Sequence, residues 1–117
     1  MENWIKTLKV ADVAEGQARV FNAQGQRIAI CHAEGNFYAI DDLCTHDGGP
    51  LGEGEMEGHF IRCPRHYAKF DVRTGKACTL PAVGYVATFP VKIEGDDILV
   101  DIGSPSRTTK GKVQMTV

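Results

Sequence analysis

Two short motifs in this 117-residue chain each pair a thiol with an imidazole. Cys44-Thr45-His46 is followed, after sixteen intervening residues, by Cys63-Pro64-Arg65-His66. Thiolate sulfur and imidazole nitrogen are the side-chain donors that transition metals favour, so two such turns brought together make a complete four-ligand set. Glycines at 48, 49, 52 and 54 let the first motif's loop fold tightly without Cβ clashes, and Pro64 stiffens the second turn by fixing its own φ. The start of the chain, Met1-Glu2-Asn3-Trp4-Ile5-Lys6, lacks the basic-then-apolar organisation of an export signal. The four cysteines (Cys31, Cys44, Cys63, Cys78) therefore do not read as a disulfide framework, and a cytoplasmic location is expected.

On the residues alone three readings stand open. The cysteines and histidines are unrelated buried thiols and surface imidazoles, or they hold one Zn²⁺ tetrahedrally, or they hold a binuclear [2Fe–2S] cluster with two sulfurs on one iron and two imidazoles on the other. Half of the chain's Cys and half of its His fall into the two matched pairs, which counts against the first. Zinc fingers pair Cys with Cys and His with His, whereas each turn here mixes them, which counts against the second.

The sequence resembles the Rieske iron–sulfur family, and the resemblance extends past the four candidate ligands. Pro50-Leu51 and Gly54 after His46 fit a His-x4-Leu-x2-Gly spacing, and Phe70 and Gly75 after His66 fit His-x3-Phe-x4-Gly. By that resemblance Cys44 and Cys63 ligate the inner iron and His46 and His66 the outer, exposed one. It implies a small all-β fold, an antiparallel sandwich or barrel with a cluster-binding subdomain formed by two loops. The respiratory branch of the family carries a loop-tethering disulfide at positions that are Gly49 and Arg65 here. Its Ser and Tyr hydroxyl donors to the cluster correspond to Ala68 and Phe70. Without them the reduced cluster is less well stabilised, so the chain looks like a low-potential ferredoxin of bacterial oxygenase systems. Tyr67 departs from the Gly that usually follows the second His.

The resemblance implies a one-electron carrier rather than a catalyst. It would pass electrons from an NAD(P)H-dependent flavoprotein reductase to a terminal Rieske non-haem iron dioxygenase of aromatic hydrocarbon catabolism. Docking would be transient, around His46 and His66, with an apolar collar of Pro50, Leu51 and Pro81, and the carrier monomeric. A small Rieske subunit of a larger oxidoreductase such as nitrite reductase and a zinc-stabilised binding module are the alternatives.

The elements that must position these residues are short. Thirteen glycines and five prolines punctuate the chain every eight to twelve residues, and no apolar period of 3.6 survives them. β-prone runs lie at 4–10, 18–22, 27–31, 37–40, 60–63, 69–72, 91–94 and 98–102, pointing to a sandwich or small barrel. Ala23-Gln24-Gly25-Gln26 and Gly95-Asp96-Asp97 read as hairpin connections. Residues 1–102 form one domain with its cluster loops at about 42–81, and 103–117 read as a polar, basic, mobile tail.

Charge fits the same picture. Arg107, Lys110 and Lys112 account for three of the 13 bases and none of the 15 acids, leaving residues 1–102 with 10 against 15. That body lacks the basic footprint of nucleic-acid binding, and no apolar run is long enough to span a bilayer. Residues 41–57 hold six acids and no base, while 62–76 hold five bases and one acid; both blocks read as solvated faces or as a means of orienting a charged partner. Cys31 and Cys78 read as small buried hydrophobes, and His32 and His59 as surface residues.

Overall fold

The computed structural model describes residues 2–43, 50–64, 68–79 and 84–106. Its strands are β1 (Trp4–Lys9), β2 (Ala18–Ala23), β3 (Gln26–Ala33), β4 (Asn36–Asp41), β5 (Glu55–Glu57), β6 (Phe60–Arg62), β7 (Lys69–Asp71), β8 (Thr88–Phe89), β9 (Val91–Glu94) and β10 (Asp97–Asp101). They form three antiparallel sheets, ordered β1-β10-β9, β2-β3-β4-β8 and β5-β6-β7. The fold is all-β, as expected; a single 3₁₀ turn at Val10–Asp12 is the one helical element among the described residues.

β3 explains how three sheets share so short a chain. Its sequence alternates Ile28 and Ile30 with Ala29, Cys31 and Ala33, and strand side chains alternate faces. The two isoleucines enter a core with Val13, Ala39, Phe89, Ile98 and Val100, between the first two sheets. The small residues face a second core with Leu51, Ile61, Cys63, Ala68, Phe70, Val72 and Val86, which belongs to the third sheet and its flanks. Large residues on one face fill the sandwich; small ones on the other let the third sheet approach. Each buried isoleucine is worth about 2–5 kcal/mol against alanine.

The hairpins are tighter than the sequence suggests. Asp97 pairs with Glu94 and Ala23 with Gln26, so each connection is two residues long. Between β3 and β4, Glu34 (φ 53°) and Gly35 (φ 81°) make the same kind of turn. Their two N–H groups donate to the Glu15 carboxylate at 2.7 and 3.0 Å, which offsets the strain of Glu34 in the left-handed region.

Two strands escape the sequence reading. β5 lies inside the acidic 41–57 block, and β8 is only two residues long. The supposed tail also begins differently: Ser106 donates its N–H to the Thr88 carbonyl (2.7 Å) and accepts from the Thr88 N–H (3.0 Å), so residues up to 106 cover the edge of β8. Residues 107–117 lie outside the described residues.

Candidate metal centre

Of the four candidate ligands, Cys63 is described; Cys44, His46 and His66 lie outside the described residues, as do Gly49, Arg65, Tyr67 and Pro81. Cys63 follows β6 directly and is fully buried, and its N–H donates to the Ala68 carbonyl at 2.7 Å. The β6–β7 ladder therefore closes on both sides of residues 64–67. Among the described residues no group accepts a hydrogen bond from its Sγ, whereas the thiols of Cys31 and Cys78 lean on the carbonyls of Ala29 and Lys76.

The chain flanking both motifs meets in one place. Leu51, downstream of the first motif, shares a buried cluster with Cys63, Ala68, Phe70 and Val86, which bracket the second. Phe70 and Leu51 are both fully buried, so each secures its own segment by the side chain that the family spacing picks out. The two spaced glycines have physical reasons too. A Cβ on Gly54 would overlap the backbone carbonyl of Arg62, so only glycine lets the first segment lie against β6. Gly75 has φ 84°, and a Cβ there would overlap the Val86 carbonyl. Its N–H donates to Asp71 and its carbonyl accepts from Val86, pinning residues 84–86 beside β7.

Electrostatically, part of the acidic block is spent on the basic one. Glu57 on β5 pairs with Lys69 on β7 (2.9 Å) and with Arg62 on β6. The Lys69 ammonium first and the Arg62 guanidinium second hold the Glu57 carboxyl below the usual carboxylate range. Burial pushes the Asp71 carboxyl up, but the Arg73 side chain, bound at 3.1 and 3.0 Å, and the Arg73 N–H outweigh it and leave Asp71 low. Glu53 and Glu55 stay exposed beside Pro64, lining with Gly54 and Arg62 a cleft of about 350 Å³.

Several expectations are corrected. Leu51 cannot be part of an exposed collar because it is fully buried; Pro50 is half-buried. Cys78 is exposed, not a core thiol, since its residue lies beyond the last inward position opposite β7. Cys31 is buried as expected, and burial first, then the nearby Asp42 charge, push its thiol up to about 12. His32 and His59 are not free surface rings. His32 donates to the Val13 carbonyl (2.8 Å) and stacks on Phe37, while Nε2 of His59 accepts from Arg73 (3.0 Å) and its Nδ1 faces Glu34.

One site residue goes unnoticed in the sequence: Asp42, counted there only as one acid of a solvated block. Its side chain is fully buried and bound by Arg27. Its place follows from the register of the β3–β4 hairpin, where Ile28 pairs with Asp41 and the next positions outward are Arg27 and Asp42, which the residue types alone do not reveal.

Residues 3–90 match the family described as the Rieske [2Fe–2S] domain. The chain is 38% identical over 101 residues to the ferredoxin component of the naphthalene 1,2-dioxygenase system of Pseudomonas aeruginosa, covering 86% of this chain and 97% of that relative. It is 43% identical over 97 residues to the ferredoxin component of biphenyl 2,3-dioxygenase from Rhodococcus jostii, covering 83% and 91%. Among solved structures it is similar to a chain in the complex of reduced oxygenase and oxidised ferredoxin of carbazole 1,9a-dioxygenase, with TM-score 0.80, 30% identity and coverage of 92% of this chain and 95% of that one.

Proposed function

The chain belongs to the Rieske [2Fe–2S] domain family, and we propose that it is a one-electron carrier holding one cluster on Cys44, His46, Cys63 and His66. The observation that carries this reading is the shared buried cluster of Leu51, Cys63, Ala68, Phe70 and Val86, which unites the segments around both motifs. The donor chemistry fits: a buried thiol with no hydrogen-bond acceptor among the described residues is suited to a soft metal, and Gly54 and Gly75 let the flanking backbones pack against one another. When bound, the cluster stores one electron, and its paired thiolates and neutral imidazoles leave it uncharged when oxidised and singly negative when reduced.

The protein's own residues set the environment. Ala68 and Phe70 are fully buried and offer no hydroxyl, so the added negative charge is met by fewer donors. We place the potential toward the lower end of the range of about −150 to +300 mV spanned by Rieske centres. Relatives named as ferredoxin components of aromatic dioxygenase systems support an oxygenase as acceptor. The donor in this reading is an NAD(P)H-dependent flavoprotein reductase, and the carrier works in the cytoplasm where that nucleotide is available. No helix among the described residues is long and apolar enough to cross a membrane. Exposed Pro64, Glu53 and Glu55 lie beside the second motif, and a small, weak contact there suits a shuttle.

Anaerobically purified protein tests the reading. It should be red-brown with two irons and two sulfides per chain. Cys63→Ser and His66→Ala should each lose the colour and the reversible one-electron wave while keeping β circular dichroism. A colourless wild type with one metal ion per chain overturns it.

A further inference from the structure

A buried carboxylate stands at the foot of the segment that carries Cys44 and His46. The side chain of Asp42 has no exposure to solvent. Its Oδ2 accepts from Arg27 Nε at 3.1 Å and forms an ion pair with Nη2 at 3.0 Å, and its Oδ1 accepts from the Gly52 N–H at 2.6 Å. The backbone adds a further tie, because the Asp42 N–H donates to the Arg27 carbonyl (3.2 Å). Asp42 lies two residues before Cys44, and Gly52 six residues after His46. One carboxylate thus holds both ends of the ligand-bearing segment to β3. Gly52 is also packed against the core strands: a Cβ there would overlap Val20 and crowd Ala29 at 3.3 Å.

This is an expensive arrangement for a structural loop. Burying a carboxylate costs desolvation that a partner as exposed as Arg27 only partly offsets, and a neutral or apolar contact would close a loop as well. What the carboxylate supplies is two acceptor edges facing two donors at once, which an Asn amide cannot reproduce, since one of its edges is a donor.

Resting on the carrier reading above, we propose that Asp42 is a positioning residue for the cluster. Bridging Arg27 and the Gly52 amide, it fixes the segment bearing Cys44 and His46, and with Arg27 it balances the charge that the cluster senses.

The test uses whole protein loaded with cluster, with three variants: Asp42→Asn, Arg27→Gln and Arg27→Lys. The readouts are the rate of iron loss to a ferrous chelator, the midpoint potential in mildly alkaline buffer, and thermal melting as a folding control. Removing an outer partner of a metal site commonly costs about 10- to 100-fold in metal retention. Asp42→Asn should therefore lose iron about 10-fold faster or more and shift the potential upward, because a negative charge is gone while Arg27 remains. Arg27→Gln should also speed iron loss but shift the potential downward, leaving the carboxylate uncompensated. Arg27→Lys should restore the potential most of the way. Since the Arg27 side chain is 54% exposed, its variants remain testable if Asp42→Asn does not fold. Iron loss at the wild-type rate in the folded variants, or potentials that move in the same direction, overturns the inference while leaving the carrier reading intact. A wild type that binds no [2Fe–2S] cluster overturns both.

Discussion

Thiol exposure separates the cysteines at the scale of single residues. Cys31 is buried with its thiol pushed up to about 12, whereas Cys78 is exposed. Alkylation of native, cluster-loaded protein followed by peptide mass mapping should label Cys78 and spare Cys31 until the protein is unfolded; rapid labelling of Cys31 would show its strand to open locally. Gly75→Ala should cost about 2–4 kcal/mol in chemical denaturation, combining a left-handed φ with overlap on the Val86 carbonyl. The spaced Leu51, Gly54, Phe70 and Gly75 were legible in the sequence because each is fixed by its own size or close approach, whereas of the four candidate ligands Cys63 alone lies among the described residues. Asp42 was not, since its burial depends on the hairpin register opposite Arg27. The spacing shows that Leu51 matters but not which way it faces, so an exposed collar is expected where the structure buries it.

Strand positions were readable wherever apolar residues alternate, as in β3, and the run at 91–94 coincides with β9. β5 was hidden because Glu55-Met56-Glu57 looks like solvated loop, and its strand state comes from pairing with β6 and from Glu57 meeting Arg62 and Lys69. That clasp makes the third sheet acid-sensitive. Glu57 and Asp71 both have depressed carboxyls, so their stabilisation is full above the ordinary carboxylate pKa of about 4 and is lost as pH falls through their lower folded values. Melting temperature of the apoprotein should be level from neutral pH to about 5 and drop below about 4. Glu57→Gln should weaken that drop; an unchanged profile in this variant would show that the clasp contributes nothing. Phe70→Ala should cost about 3–5 kcal/mol and release iron, because Phe70 joins the third sheet to the small face of β3.

For the molecule as a whole, the net charge of −2 conceals a body more acidic than its basic end. With Glu57 paired to Lys69 and Arg62, Glu53 and Glu55 stay exposed beside Pro64, and the proposed docking there would use their charge to steer a partner. Reversing both, Glu53→Lys with Glu55→Lys, should slow electron transfer to an oxygenase several-fold at low salt and converge on wild type at high salt. A salt-independent defect would point to damaged packing instead. The most direct measurement of the central claim is electron–nuclear double resonance on the one-electron-reduced protein, grown with isotopically labelled histidine. Coupling from two histidine nitrogens to a binuclear iron centre is the result this account predicts. A mononuclear centre, or a binuclear one that couples to no histidine nitrogen, would contradict it.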